Sequence, residues 1–263
     1  MNAEIVFLGS GTSMGVPTLG CACAVCTSAD PRNRRTRPSI AVEWNNDEQA
    51  HTVVIDTGPD FREQALREKI RHVDAVLFTH AHADHIMGMD DLRPLSFRHK
   101  PNSLPLYADE VTATILRRIF DYTFSADSKY PLRARVELRN LDNRDTAEIA
   151  GARFQRVPVM HGDLQVAGFR FGKGAYLTDM SSIPETSLTQ LEDLDVLILD
   201  ALRPQPHPSH ANLEQALAWV ERVQPRRAWF THMSHEIDHE ATEAAFPPHV
   251  RLSYDGLRIP FEL

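Results

Sequence analysis

The chain has 263 residues, 42% apolar and 24% charged, ordinary globular values with room for one large α/β domain or two small ones. Its net charge of −8 argues against an extended nucleic-acid surface, which needs a basic stripe, while leaving a small phosphate ester open as a ligand. No stretch approaches the ~20 apolar residues of a membrane span, and Met1–Gly9 has no basic region before its short apolar run. The opening therefore reads as a strand, not a signal peptide, and the expected location is the cytoplasm.

Ile5–Leu8 is the first predicted strand, closed by Gly9-Ser10-Gly11, a turn that asks for backbone freedom. The three cysteines, Cys21, Cys23 and Cys26, all lie within the next stretch, too few and too close for a disulfide framework. Arg32–Arg37 is basic without periodicity and reads as a solvated loop, with a phosphate contact from one arginine as the alternative. Ile40–Trp44 and Thr52–Asp56 read as a hairpin about the polar turn Asn45-Asn46-Asp47-Glu48. Asp56, at the end of its second strand, can cap the turn and a helix over Phe61–Ile70. Val76–Thr79 is an apolar run leading into His80-Ala81-His82-Ala83-Asp84-His85, four metal-competent side chains in six residues. A tight turn there aims His80 and His82 at one point, Asp84 and His85 at a second. Imidazole and carboxylate donors suit zinc, manganese or iron, and paired sites form a clamp for displacement at phosphorus or attack on a carbonyl.

Beyond the motif, Ile86–Leu95 reads as the start of a helix and Leu104–Tyr107 as a strand. Thr112–Phe120 reads as a helix with Ile115, Leu116 and Ile119 on one face. Residues 121–146 give no assignment. After them, apolar strands repeatedly end in a metal-competent residue: Ala152–Val159 before His161, Ala175–Thr178 before Asp179, Val196–Leu199 before Asp200, and Arg227–Thr231 before His232. Phe169–Phe171 pairs with Ala175–Thr178 as a hairpin. Asn212 and Gln215 form a capping box for a helix that buries Leu213, Ala216, Leu217 and Val220. No linker or repeat interrupts the pattern, so residues 1–263 read as one domain.

His-x-His-x-Asp-His after a strand resembles the signature of the metallo-β-lactamase superfamily, particularly its binuclear hydrolases, and the resemblance covers nearly the whole chain. It implies an α/β fold, the αββα sandwich, with metals at the seam between two sheets. It further implies that His80, His82 and His161 hold one divalent metal and that Asp84, His85 and His232 hold a second. Asp179 would bridge them, a shared hydroxide would act as nucleophile, and Asp56 would support the metal histidines. Three thiolates with His235 as a credible fourth ligand make a closed Cys3His zinc site, structural because no position is open. This cluster and the Gly-x-Gly after the first strand resemble a narrower family, the PhnP-type phosphoribosyl 1,2-cyclic phosphate phosphodiesterases. That resemblance implies a small cyclic phosphate ester as substrate and His210 as general acid, with His207 as the alternative; Asp84 and Asp56 complete the catalytic set. Arg203 departs from the family pattern and could add a phosphate contact.

Two other readings keep the fold. A ribonuclease Z-like or exonuclease-type enzyme predicts a basic arm or extra domain. A pyrroloquinoline-quinone accessory protein shares the cysteine pattern but typically lacks the full histidine motif; a β-lactamase fits less well, for want of a secretory signal. The expected partners are a small phosphate ester and, by analogy, a second copy of the chain, with no nucleic acid and no membrane.

Overall fold

The computed structural model describes residues 1–46, 49–99, 101–141 and 146–263. Asp47 and Glu48 of the expected hairpin turn, and residues 142–145 of the unassigned stretch, lie outside the described residues.

The first sheet contains β1 (Asn2–Gly9), β2 (Ser39–Asn46), β3 (Gln49–Ile55), β4 (Ala75–Leu77), β5 (Leu104–Ala108) and β6 (Val136–Asn140). The second contains β7 (Thr146–Ile149), β8 (Ala152–His161), β9 (Leu164–Phe171), β10 (Gly174–Leu177), β11 (Val196–Asp200), β12 (Arg227–Thr231) and β13 (Val250–Leu252). With β14 (Arg258–Glu262) flanking β1, the strand orders are β14-β1-β2-β3-β4-β5-β6 and β13-β12-β11-β10-β9-β8-β7. Each sheet is antiparallel on one side and parallel on the other: β3 to β6 run parallel, and so do β10 to β13. Parallel neighbours need crossovers, and their carboxyl ends all emerge at one edge. That is why residues far apart in sequence can meet.

Both faces of each sheet are covered. Along β1, Ile5 and Phe7 point into the layer between the sheets with Val42, Ile55, Phe154, Phe169 and Ile198. Val6 and Leu8 point the other way, beneath a helix carrying Phe61 and another carrying Leu116. On the far side of the second sheet, Leu177, Leu199 and Phe230 pack against Ala216 and Val220 of the helix Leu213–Val223. The period-two alternation of the strands thus feeds three apolar layers, and the architecture is the αββα sandwich. Among the described residues no helix is long and apolar enough to cross a membrane.

Several local expectations change. The helix from Phe61 stops at Arg67, short of Ile70. Ile86–Leu95 is no continuous helix: a turn of helix at Ala83–Ile86, a 3-10 turn at Met89–Leu92 and a second short helix at Arg93–Ser96 replace it. Gly88 separates the pieces, at a point where a Cβ would lie 2.1 Å from the Gly58 carbonyl oxygen. The helix Glu110–Ile119 buries Thr112, Ala113 and Leu116, leaving Ile119 42% exposed. Within 121–146 lie a short helix, Asp121–Phe124, then β6 and the start of β7. The capping box is present, Asn212 accepting from the Gln215 amide at 2.9 Å and Gln215 from the Asn212 amide at 3.0 Å. Gly9 and Gly11 serve close approach, not a left-handed turn: a Cβ on Gly9 would lie 1.9 Å from the Arg37 carbonyl oxygen, and one on Gly11 2.8 Å from Arg35 Cβ.

Candidate active site

Strand ends of both sheets converge at one edge. His80 follows β4, Asp56 follows β3, Asp179 follows β10, Asp200 ends β11, His161 ends β8 and His232 follows β12. Asp56, Asp179 and His232 take left-handed backbone angles, with φ of 66°, 50° and 61°. Such angles are costly for non-glycine residues and persist where surrounding structure over-determines them. Each lets a straight, buried strand turn its last side chain into the seam.

The side chains form two adjoining clusters with Asp179 common to both: His80, His82, His161 and Asp179, and Asp84, His85, Asp179 and His232. In each, one donor atom per residue lies within 4.8 Å of the others. Asp179 Oδ2 is 3.2 Å from His85 Nε2, and its Oδ1 is 3.3 Å from His232 Nε2 and 3.9 Å from His80 Nε2. His80 Nε2, His85 Nε2, His232 Nε2 and Asp84 Oδ2 are buried without a hydrogen-bond partner. Orphaned polar atoms are costly to bury, so their convergence marks a place made for another positive centre. Imidazole nitrogen with carboxylate oxygen fits divalent cations of the zinc, manganese and iron type.

The opposite side of three of the rings is held, those of His80, His85 and His161. His85 Nδ1 donates to Asp56 Oδ2 at 2.7 Å, and Asp56 also accepts from the Thr79 amide and hydroxyl at 2.8 Å each. His80 Nδ1 lies 3.0 Å from that same hydroxyl, so Asp56 steadies His80 through Thr79. His161 Nδ1 donates to the Ser209 carbonyl at 2.8 Å. These contacts leave Nε2 of His80, His85 and His161 facing the cluster and fix the tautomer that can ligate. Asp56 makes no cap to the following helix; Asp60 is the cap residue there.

The electrostatics select positive charge. Burial pushes Asp179 and Asp84 up, but His232 and His85 hold Asp179, and His85 and His232 hold Asp84, well below the usual carboxylate range. Burial lowers His232, yet Asp179, Asp200 and Asp84 outweigh it and raise this histidine to about 9.

Beside the clusters, His210 Nδ1 lies 2.6 Å from Asp200 Oδ2, which also accepts from the Met180 amide at 3.0 Å. The His210 ring stacks on His232, centroids 4.7 Å apart at 11°, and meets His161 edge-on at 4.6 Å. His207 touches His210 at 5.0 Å and lies half-buried in its own loop, where its Nδ1 accepts from the Ser209 amide at 3.3 Å. Asp200 stands at a strand end like the other site residues, and its pairing with His210 is set by the fold. Nothing in the sequence singled out Thr79.

Cys21, Cys23 and Cys26 meet His235, their sulfurs 3.1, 3.5 and 3.6 Å from its Nδ1. A zinc tetrahedron with these ligands has sulfur–nitrogen edges of about 3.6 Å. The Cys26 amide donates to Cys23 Sγ at 3.4 Å and the Thr18 amide to Cys26 Sγ at 3.3 Å. The first of these contacts lowers the Cys23 thiol to about 6, whereas burial raises Cys26.

The arginines are differently employed than expected. Arg203 spends its guanidinium on the Gln205 and Pro206 carbonyls, at 3.3 and 2.9 Å. Arg32 pairs with Asp30 and Arg37 with Asp60, at 2.7 and 2.9 Å. Arg35, placed by sequence in a solvated loop, is fully buried.

A family model, the beta-lactamase superfamily domain, matches residues 51–233. A solved diphosphatase from the PhnP family is 48% identical, with a TM-score of 0.92, covering 100% of this chain and 98% of that one. Zinc-bound PqqB from Methylobacterium extorquens shares the fold, with a TM-score of 0.74 at 21% identity over 97% of this chain and 99% of that one. An octanoyltransferase of Porphyromonas gingivalis is 35% identical over 254 residues, 96% of this chain but 50% of that protein. The chain spans about half the length of the curated relatives it matches.

Proposed function

We propose a reaction for this chain from one premise: it belongs to the beta-lactamase superfamily and, within it, to the PhnP family, and is a metal-dependent hydrolase. The reaction is hydrolysis of a small phosphodiester, of which a phosphoribosyl 1,2-cyclic phosphate is the type. His80, His82, His161 and Asp179 would hold one divalent cation and Asp84, His85, Asp179 and His232 the other, zinc or manganese with iron as the alternative. Cations held there would neutralise phosphoryl oxygens and bring a water's pKa near neutrality.

The observation that carries the reading is the Asp200–His210 pair. An alkoxide leaves poorly unless protonated, and a positioned acid contributes ~10²–10⁴-fold. With Nδ1 bonded to Asp200 at 2.6 Å, His210 keeps Nε2 to hold a proton for the departing oxygen. The buried Asp200 carboxylate orients the ring, and the stack on His232 sets its position beside the clusters. His210, not His207, packs against the cluster residues His161 and His232, which favours it as the acid.

A second reading rests on the solved relative described as a diphosphatase. Cleaving a diphosphate expels phosphate, which needs little protonation, so the two readings differ in their dependence on His210. The test is hydrolysis by manganese- or zinc-loaded protein of a 1,2-cyclic ribose phosphate, 2′,3′-cyclic nucleotides, bis-nitrophenyl phosphate, a nucleoside diphosphate and a precursor tRNA. Turnover of the cyclic esters that collapses in His210→Ala supports the phosphodiesterase. Preference for the diphosphate, insensitive to that change, would replace it with the second reading, and cleavage of tRNA would move the enzyme to the nucleases.

A further inference from the structure

Thr231–His239 carries a residue of each metal-competent group, His232 of the strand-end clusters and His235 of the thiolate cluster. Most of it is neither strand nor helix, so its buried backbone groups need partners from elsewhere. The Met233 amide donates to the Ser10 carbonyl at 3.0 Å, the Ser234 amide to the Leu202 carbonyl at 2.9 Å, and the Met233 carbonyl accepts from the Thr12 amide at 3.1 Å. One side chain reaches two carbonyls at its centre, that of Ser234, which also accepts from the Ile237 amide at 3.3 Å, and that of Ile237. Arg35 donates from Nη1 to the Ser234 carbonyl at 3.0 Å and from Nη2 to the Ile237 carbonyl at 2.9 Å.

This guanidinium is 1% exposed and has no carboxylate among its hydrogen-bond partners; the others are Asn33 Oδ1 at 2.9 Å and the Arg32 carbonyl at 3.3 Å. Burial lowers it to about 10, and it remains a cation at neutral pH. Asn33 extends the grip, accepting from the His239 amide at 2.9 Å and donating to Asp238 Oδ2 at 3.0 Å. The backbone of Arg35 exchanges two hydrogen bonds with Val16, both 2.8 Å, in the loop leading to the cysteines. A buried cation without an ion-pair partner is expensive, and here its donors are spent on the loop joining the two sites.

We propose that Arg35 is a positioning residue for metal binding: its guanidinium fixes Ser234–Ile237 and so sets His232 for the strand-end clusters and His235 for the thiolates. This rests on the metal assignments above. The planar fork reaches two carbonyls at once, which a lysine ammonium cannot do in the same geometry.

The test loads the full-length chain with cobalt and follows its release to a chelator. Thiolate-to-cobalt charge transfer reports the Cys21–Cys23–Cys26–His235 site, and total released cobalt reports the remainder. Residues that orient metal ligands typically change affinity ~10–100-fold. Arg35→Lys is expected to speed release from both kinds of site about tenfold or more, and to lower kcat on bis-nitrophenyl phosphate more than it raises KM. Asn33→Ala, a milder change, is expected to do so about threefold. Val42→Ala, a cavity in the inter-sheet core, serves as a control of similar stability loss. Release from Arg35→Lys and Asn33→Ala no faster than from that control would overturn the proposal. A wild-type chain that takes up cobalt without thiolate charge transfer would instead overturn the thiolate assignment beneath it, and with it this role for Arg35.

Discussion

The strand-end clusters and the thiolate cluster share a loop but are built in opposite ways. The first draws on both sheets, and two of its donors, Asp179 and His232, together with the supporting Asp56, carry left-handed backbone angles at the ends of parallel strands. His80 and His85 are hydrogen-bonded on Nδ1 and orphaned on Nε2, and His232 is buried without a partner on either nitrogen. In the thiolate cluster three of four donors come from Cys21–Cys26, a local loop in which the Cys23 and Cys26 sulfurs accept backbone amides and Cys21 and Cys23 are partly exposed. One arrangement has strained, rigid donors around shared space, which suits chemistry on a substrate. The other is closed by its own four donors, which suits a staple. Removing parts of each should therefore give different kinds of loss.

The largest expected effect is at the residue both strand-end clusters share. Asp179→Ala should lower kcat by about 10⁴-fold, roughly 5.5 kcal/mol at tenfold per 1.36 kcal/mol, with metal content falling in the strand-end clusters. Metal analysis showing the full complement, together with near-normal turnover, would dissolve the idea of a shared ligand. His210→Ala should cost about 10³-fold on an alkoxide-leaving substrate and only a few-fold on a nitrophenyl ester. Equal losses on both would remove His210 from the acid role. Asp56→Asn should weaken metal binding about 10–100-fold while leaving the fold intact, read by chelator competition and circular dichroism.

On the other side of the comparison, Cys23→Ser should lose the thiolate-bound metal and lower thermal stability, by about 2–4 kcal/mol for a site saturated a hundred- to a thousandfold above its Kd. Its kcat should fall only a few-fold; a loss as deep as that of Asp179→Ala would erase the distinction between chemistry and staple. The smallest effect is at His239, whose amide donates to Asn33 Oδ1 at 2.9 Å. Burial lowers it to about 4, with Glu243 working against that. Its folded pKa is below the unfolded value, so the unfolded chain takes up the proton first and stability is lost as pH falls from about 6.5 to 4. Denaturant midpoints should show wild type losing of order 1–2 kcal/mol more than His239→Gln across that window; parallel curves would refute it.

Much of the site was legible because its donors are chemically distinctive and stand where apolar strands stop. His80, His82, Asp84 and His85 announce themselves in six residues, and His161, Asp179 and His232 each stand at or just after the end of a strand that carries buried apolar residues. The cysteines were equally plain, and the structure brings His235 to them. Asp200 stood at a strand end like the rest, yet its work depends on His210 arriving from a loop ten residues on. Arg35 was misplaced because a basic stretch normally faces water; only the approach of Ser234 and Ile237, about two hundred residues away, shows what it serves.

By itself, then, the order of residues determined which strands form, by period-two burial and apolar runs, and which donor atoms stand at their ends. The tertiary structure decided which of those atoms face one another. Strand order and the common direction of the parallel strands bring Asp56, Asp179, Asp200 and His232 to one edge, and local pattern carries no information about neighbours in a sheet. It also decided which nitrogen of each imidazole is free, because that depends on the acceptor packed behind the ring: Asp56 for His85, Thr79 for His80, the Ser209 carbonyl for His161 and Asp200 for His210.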